Sequence, residues 1–401
     1  MLKNVTFIWS MAFLIAGTSI GAGILGLPLE TGQAGFWPSL FSLILVWALM
    51  TSTGWIFIYK LNNSKRPVDY FATLYEIELG GWAKLVNSFG YFITFYGLIV
   101  AYLSGASTTV VEIMPTLQNF PFANAILSIL FFIAATSIVL FGKDITRKGN
   151  AILTTLLFVF FVLLIFLMAG HLNLANLTHT KWNRVPLALP ILVTAFGFHP
   201  IIPIINTTAK MHRIKIRNVF KILLLGTTIV MIIYLLWITT VMGVLPLTAS
   251  DNISILDAIE TGVPVTVPVA KLIKSNLLII VTLFFTFFAI TTSYIGVSAG
   301  FLNYIKGLTA PYFKRNQFTD IIIVFLIPVI ITLTYPDLFI TMLHIVGGIG
   351  VITIYGILPG IMAIKTNNAT YIRILGFVVL ILSFFILITE CIIIISSLHR
   401  S

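Results

Sequence analysis

Two short stretches of this sequence expose peptide groups able to hold a small charged molecule, and both do so by losing side chains. Gly17-Thr18-Ser19-Ile20-Gly21-Ala22-Gly23 interrupts the first apolar run, and Ala195-Phe196-Gly197-Phe198-His199-Pro200 interrupts another far downstream. Each Gly costs about 1 kcal/mol relative to Ala in a helix interior, and a peptide group freed inside a bilayer finds no water to bond. Bare N–H groups at the start of a helical segment attract a carboxylate, and free carbonyls at the end of one attract an ammonium or a metal cation. Pro200 has no N–H and disfavours helical geometry at His199, so the chain opens there. Close helix packing through small residues and a plain proline kink are the alternatives. Gly26 and Pro28 prolong the first break, and the second lies in a matching position, which favours a binding site.

Other residue types add chemistry around these breaks. His199 is a titratable side chain at a break and a candidate proton carrier; a histidine that merely bonds an exposed carbonyl is the alternative. His344 is a weaker candidate of the same kind. The hydroxyls of Thr292 and Ser293 and the carbonyl of Ala289, with carbonyls freed in the first run, suit a small hard cation, unless they bond back to their own helix. Phe196, Phe198, Tyr96, Tyr102 and Tyr294 suit an apolar or aromatic ligand, although 33 Phe and 13 Tyr make chance proximity the default. Glu30 and Glu112 are expected near outer span ends and Glu390 within snorkelling reach of one. No carboxylate pair is expected in the core.

The elements that must position these groups are membrane spans. Of the 401 residues 59% are hydrophobic and 9% charged, against roughly 25% charged in soluble domains. Eleven apolar runs are long enough to cross a bilayer, at 7–29, 36–59, 85–113, 122–141, 150–170, 186–207, 219–245, 276–305, 319–335, 338–363 and 371–396. The chain reads as one all-α polytopic membrane domain over 1–401, its first run a retained span rather than a cleaved leader. A cytoplasmic N-terminus puts all 23 Lys and Arg on the inner side except Lys181, Arg184, Lys271, Lys274 and Arg400, as insertion topology demands. The C-terminus is then outside, and the net charge of +11 needs no nucleic-acid partner. Five spans cross an odd number of times, so a second set of five enters from the opposite side. The expected plan is a five-plus-five inverted repeat, 7–170 and 186–363, with an extra C-terminal helix at 371–396. The 246–275 connection reads as a solvated linker or, less simply, as a gate.

Single Cys391 excludes an intramolecular disulfide, and no phosphate loop, paired metal ligands or nucleophile elbow is present. A membrane-embedded enzyme would need a nucleophile–base pair or metal cluster, and a channel would need a polar stripe or charged rings. Neither pattern is visible.

The runs Gly17 to Pro28, Gly32 to Pro38, Ala195 to Pro203 and Ala289 to Gly296 together resemble the bacterial hydroxy and aromatic amino acid permeases, within the amino acid, polyamine and organocation transporters. The resemblance covers nearly the whole chain. It implies a LeuT-type fold in the bacterial cytoplasmic membrane and import of an aromatic amino acid, tyrosine first, by cation symport without a cofactor. Proton coupling is the expectation, with sodium-coupled uptake of another neutral amino acid as the alternative. It further implies that Thr18, Ser19, Gly21, Ala22 and Gly23 receive the substrate carboxylate. Ala195, Phe196, Gly197 and Phe198 receive its amino group and flank its side chain, with Tyr102 nearby. Gly17, Ile20, Ala289, Thr292 and Ser293 match the place where sodium-coupled relatives of that fold hold an ion.

Overall fold

A computed structural model describes residues 2–64, 71–141, 143–251, 253–309, 317–366 and 369–398. Every regular element among them is a helix. The first apolar run forms α1 (Leu2–Ser19), a tight 3₁₀ turn (Ala22–Leu25) and α2 (Leu27–Gly32), and the second forms α3 (Phe36–Asn63). After α4 (Phe71–Leu79) come α5 (Gly81–Ile113), the one-turn α6 (Pro115–Gln118), α7 (Ala123–Leu140) and α8 (Lys143–Ala169). α9 (Val185–Ala195) and α10 (Ile202–Met211) are halves of one interrupted span, followed by α11 (Ile216–Val244). Two short helices, α12 (Ile255–Glu260) and α13 (Thr266–Ile273), precede α14 (Asn276–Thr309), α15 (Gln317–Thr334) and α16 (Phe339–Ile345). A wide π-helical stretch over 346–357 leads to α17 (Leu358–Ile364), and α18 (Thr370–Leu398) ends the chain.

Prolines mark where these segments begin. Pro28, Pro186 and Pro203 sit in the first turn of α2, α9 and α10, the position that a proline's missing N–H harms least. Pro359 instead lies within the continuous 339–364 segment, where Tyr75 bonds the Ile354 carbonyl. Among the described residues nine helices are long and apolar enough to cross a membrane, and the bent first span makes up to ten. The eleventh expected span falls on α15, whose apolar part Phe318–Thr334 is shorter. Helix length alone therefore does not establish the count of eleven. The expected basic loops at 60–84, 306–315 and 365–373 lie partly outside the described residues, and the one expected at 143–148 is instead the start of α8.

Burial sorts the helices. α7, α8 and α18 turn most of their apolar surface outward, as helices bathed in lipid tails do, whereas α9 with α10, α14 and the 339–364 segment are largely enclosed. Within the protein α1, α3, α9 and α11 pack together, and α5 gathers α7, α14, α15 and α16.

The 246–275 connection is no solvated linker. Val263, Val265, Val267 and Val269 are buried, the Val265 N–H donates to the Leu25 carbonyl at 3.0 Å, and Thr286 bonds Thr266 at 2.8 Å. Its apolar valines were the signal, since a linker in water has no reason to carry them.

Candidate functional site

The first span opens where its glycines fall. α1 stops at Ser19, Gly21 takes an extended conformation, and the chain re-coils at Ala22. The segments before and after the opening, Val5–Ser19 and Ala22–Gly32, are bent by 54°. In the second broken span α9 ends at Ala195 and helical structure resumes with a 3₁₀ turn at His199, with Pro200 in that turn. The two openings touch. A Cβ on Gly23 would lie 3.2 Å from the Ala195 Cα, and the Tyr234 hydroxyl of α11 lies 2.8 Å from both the Ser19 and the Ala195 carbonyl. Trp237, one turn later, donates its indole N–H to the Ile24 carbonyl at 2.8 Å. α11 thus satisfies carbonyls that the openings expose, which a bilayer interior requires.

Where the openings meet there is a cavity of about 620 Å³. Gly17, Thr18, Ser19, Ile20, Gly21, Ala22, Gly23, Tyr102, Ala195, Gly197, Thr292 and Ser293 line it, as the sequence led us to expect. Four expected residues do not border it. Phe196 is fully buried against Tyr234, and the Ala289 carbonyl accepts the Thr292 hydroxyl at 3.2 Å. Phe198 stacks on His199, whose other face covers Tyr355. His199 itself is wholly enclosed, with its Nε2 2.8 Å from the Thr53 hydroxyl. The corrections at Phe196, Phe198 and His199 share one cause, since bulky side chains beside a break turn into the packed interior. Ala289, by contrast, lies in the unbroken α14 with its carbonyl bonded in that helix. Tyr96 and Tyr294 are also structural, bonding the Ile323 carbonyl and Thr136 at 2.6 Å.

Of the expected cation ligands, Ala289, Thr292 and Ser293 make bonds within the protein. The Thr292 hydroxyl donates back to the Phe288 carbonyl at 2.8 Å, and Ser293 Oγ accepts the Ala22 N–H at 2.9 Å. The hydroxyls of Thr18 and Ser19 bond back to Leu14 and Ile15. The N–H of Gly23 comes too early in its turn to have an acceptor there, and both Gly23 and Ala195, at the end of α9, border the cavity. An N-terminal helix end for a carboxylate and a C-terminal end for an ammonium suit a zwitterion.

Sequence reasoning missed the wall formed by Thr194, Tyr91, Phe95, Val346, Val351, Ile354 and Tyr355. The run Val346-Gly347-Gly348-Ile349-Gly350 was the available signal, because a glycine-rich π-helical stretch is a common functional feature. The cavity also borders Phe13 and Leu14 of α1 and Asn150 and Thr154 near the start of α8. It therefore runs from the breaks toward the face that holds the N-terminus. On the other side of the breaks the 246–275 segment packs on the re-coiled span through the Val265–Leu25 bond, and no residue of α2 or of that segment borders the cavity.

The paired broken helices and the cavity between them have the arrangement of a LeuT-type membrane transporter fold. A crystal structure of MhsT in complex with L-phenylalanine has the same fold, with a TM-score of 0.60 and 14% identity over 96% of this chain and 97% of that one. Residues 4–397 match the tryptophan/tyrosine permease family, and the chain belongs to that family. It is thus a multi-pass permease and not an enzyme. It is 31% identical to "Tyrosine-specific transport system 2" of Haemophilus influenzae, over 86% of this chain and 84% of that protein. It is 29% identical to the "Tryptophan-specific transport protein" of the same organism (81% and 79% covered), and 24% identical to "Glutamine transporter 2" of Aliivibrio fischeri (87% and 86%).

Proposed function

We propose that this permease imports an aromatic amino acid, tyrosine first, by proton symport across the bacterial cytoplasmic membrane, with its N-terminus in the cytoplasm and its C-terminus outside. One observation carries the reading. The N-terminal end of one re-coiled span and the C-terminal end of another face a single cavity, bridged at their base by Tyr234. The aromatic walls, Tyr91, Phe95, Tyr102 and Tyr355, suit a flat ring, and relatives named for tyrosine and tryptophan agree with that chemistry. Transport proceeds by alternating access. The spans built from α1 with α2, α3, α9 with α10, and α11 rock against α5, α7, α14 and α15.

A second reading is sodium-coupled uptake of another neutral amino acid. The glutamine transporter among the relatives favours the neutral substrate, and the Thr292 hydroxyl, which donates its proton to the Phe288 carbonyl, keeps lone pairs that a cation could use. Purified protein in proteoliposomes, given labelled tyrosine, tryptophan or glutamine under an imposed pH or sodium gradient, separates the two. Concentrative tyrosine uptake driven by protons is expected. Uptake that follows sodium alone supports the second reading, and no gradient-driven, competable uptake of any of the three ends both. Currents exceeding carrier turnover would instead indicate a channel.

A further inference from the structure

Beyond the breaks, a histidine sits between two carboxylates. Glu30 Oε1 on α2 lies 3.2 Å from His344 Nε2 on α16, and Glu390 Oε2 on α18 lies 3.3 Å from His344 Nδ1. The three residues are 4%, 8% and 1% exposed. Gln33 donates to the other Glu30 oxygen at 2.6 Å. Both acids do lie within about two turns of their helix ends, but Glu390 does not snorkel outward. The expectation of no carboxylate pair in the core is corrected, because both carboxylates are buried. α18 stands outside the repeat, yet its carboxylate reaches the interior because Gly348 leaves it room: a Cβ there would overlap Glu390.

No cation from a neighbouring helix balances this charge among the described residues. α9 and α17 carry no ionisable residue. α5 is charged only at Lys84 and Glu112, which pair with Glu76 and Lys271. Lys60 of α3 pairs with Glu78, and Arg217 and Lys221 lie at the far end of α11. Asp257 of α12 bonds Ser254, Asp337 lies near Glu112, Tyr355 stacks on His199, and Cys391 of α18 is exposed.

An imidazole with both nitrogens against carboxylates cannot satisfy them with one N–H. Either the ring carries two protons or one carboxyl carries a proton of its own. Such a triad holds one shared proton and a net charge of minus one, and a further proton makes it neutral. Removed from water, the neutral form is strongly preferred. The group is also placed to report on transport. Glu30 rides on the half-helix that follows the first break. Leu343, beside His344, accepts the hydroxyl of cavity residue Thr194 at 2.8 Å, and Val346, two residues on, lines the cavity.

We infer that Glu30, His344 and Glu390 form the proton-loading site of the transport cycle, an inference that rests on the symport reading above. A proton from the outer medium forms one O–H bond on a carboxylate and breaks none in the protein. The neutral triad lets α2 seal. Release of that proton toward the cavity side restores a buried charge, which drives the seal open again.

The test compares proton-driven tyrosine accumulation, tyrosine exchange and protons moved per tyrosine in parent, Glu390→Gln and Glu30→Gln proteoliposomes. The inference expects both variants to lose accumulation to the gradient-free level and to move no proton with tyrosine while exchange persists. Unchanged proton movement in Glu390→Gln, even with a lowered melting temperature, means that the triad only braces helices and overturns the inference. Loss of exchange in both variants, each still folded in detergent, overturns it as well. A parent that exchanges tyrosine but moves no proton overturns the symport reading instead.

Discussion

Ser293 Oγ accepts the Ala22 N–H at 2.9 Å, tying α14 to the opening of the first span across 271 residues of sequence. Gly21 is what makes that approach feasible, because a Cβ at this position would coincide with the Ser293 hydroxyl. Gly21→Leu is therefore expected to abolish uptake while the protein remains folded in detergent. Gly149→Ala, where a Cβ meets open space, should transport like the parent. Parent-level uptake by Gly21→Leu would return the first break to simple helix packing.

Removing the Ser293 hydroxyl leaves the Ala22 N–H without its acceptor. A buried donor left unpaired costs about 1–3 kcal/mol, which corresponds to roughly a five- to 140-fold loss in apparent substrate affinity if that cost falls on the state that binds. Ser293→Ala should raise the concentration for half-maximal uptake accordingly. An unchanged value would show that the opening keeps its shape without this bond.

Tyr234 serves two carbonyls with one hydroxyl. Tyr234→Phe keeps the ring against Phe196 and strands the Ser19 and Ala195 carbonyls, at a cost of about 1–3 kcal/mol. The expected readout is a lower melting temperature together with slower uptake. Equal melting of variant and parent would mean that water reaches these carbonyls and replaces the phenol.

His199 is boxed between Phe198 and Tyr355 and does not border the cavity. His199→Gln should reduce stability but leave the shape of the pH profile of uptake unaltered. A flattened profile would restore this imidazole as the proton carrier and count against the triad.

Burial first and then the Glu112 carboxylate raise the pKa of Asp337 in the loop before α16. An acid whose folded pKa is raised holds its proton more tightly in the folded state. Its stabilising contribution is present at low pH and is lost as pH rises through the folded value. The gain in melting temperature from Asp337→Asn should accordingly be larger at neutral pH than at acid pH. The same gain at both values would refute the assignment.

What the sequence determined by itself is everything set by neighbours along the chain. Apolar runs define spans because backbone groups in lipid must bond within their own segment. The glycine cluster around Gly21 and the His199-Pro200 step mark where two of them open, although Gly17 stays within α1 and Pro190 within α9. Crossing parity then orders the breaks into two oppositely directed sets. Only the tertiary structure decided which side chains meet. Tyr234 lies 215 residues from Ser19, and Glu30, His344 and Glu390 come from three spans. Each of those acids, read alone, looks like a charge near a helix end, because the periodicity of one helix shows which face is polar but not what another helix brings against it. The same limit explains Phe196, Phe198 and His199: a break announces that backbone is free, and only packing on both sides decides whether the adjoining side chain enters the cavity or the core.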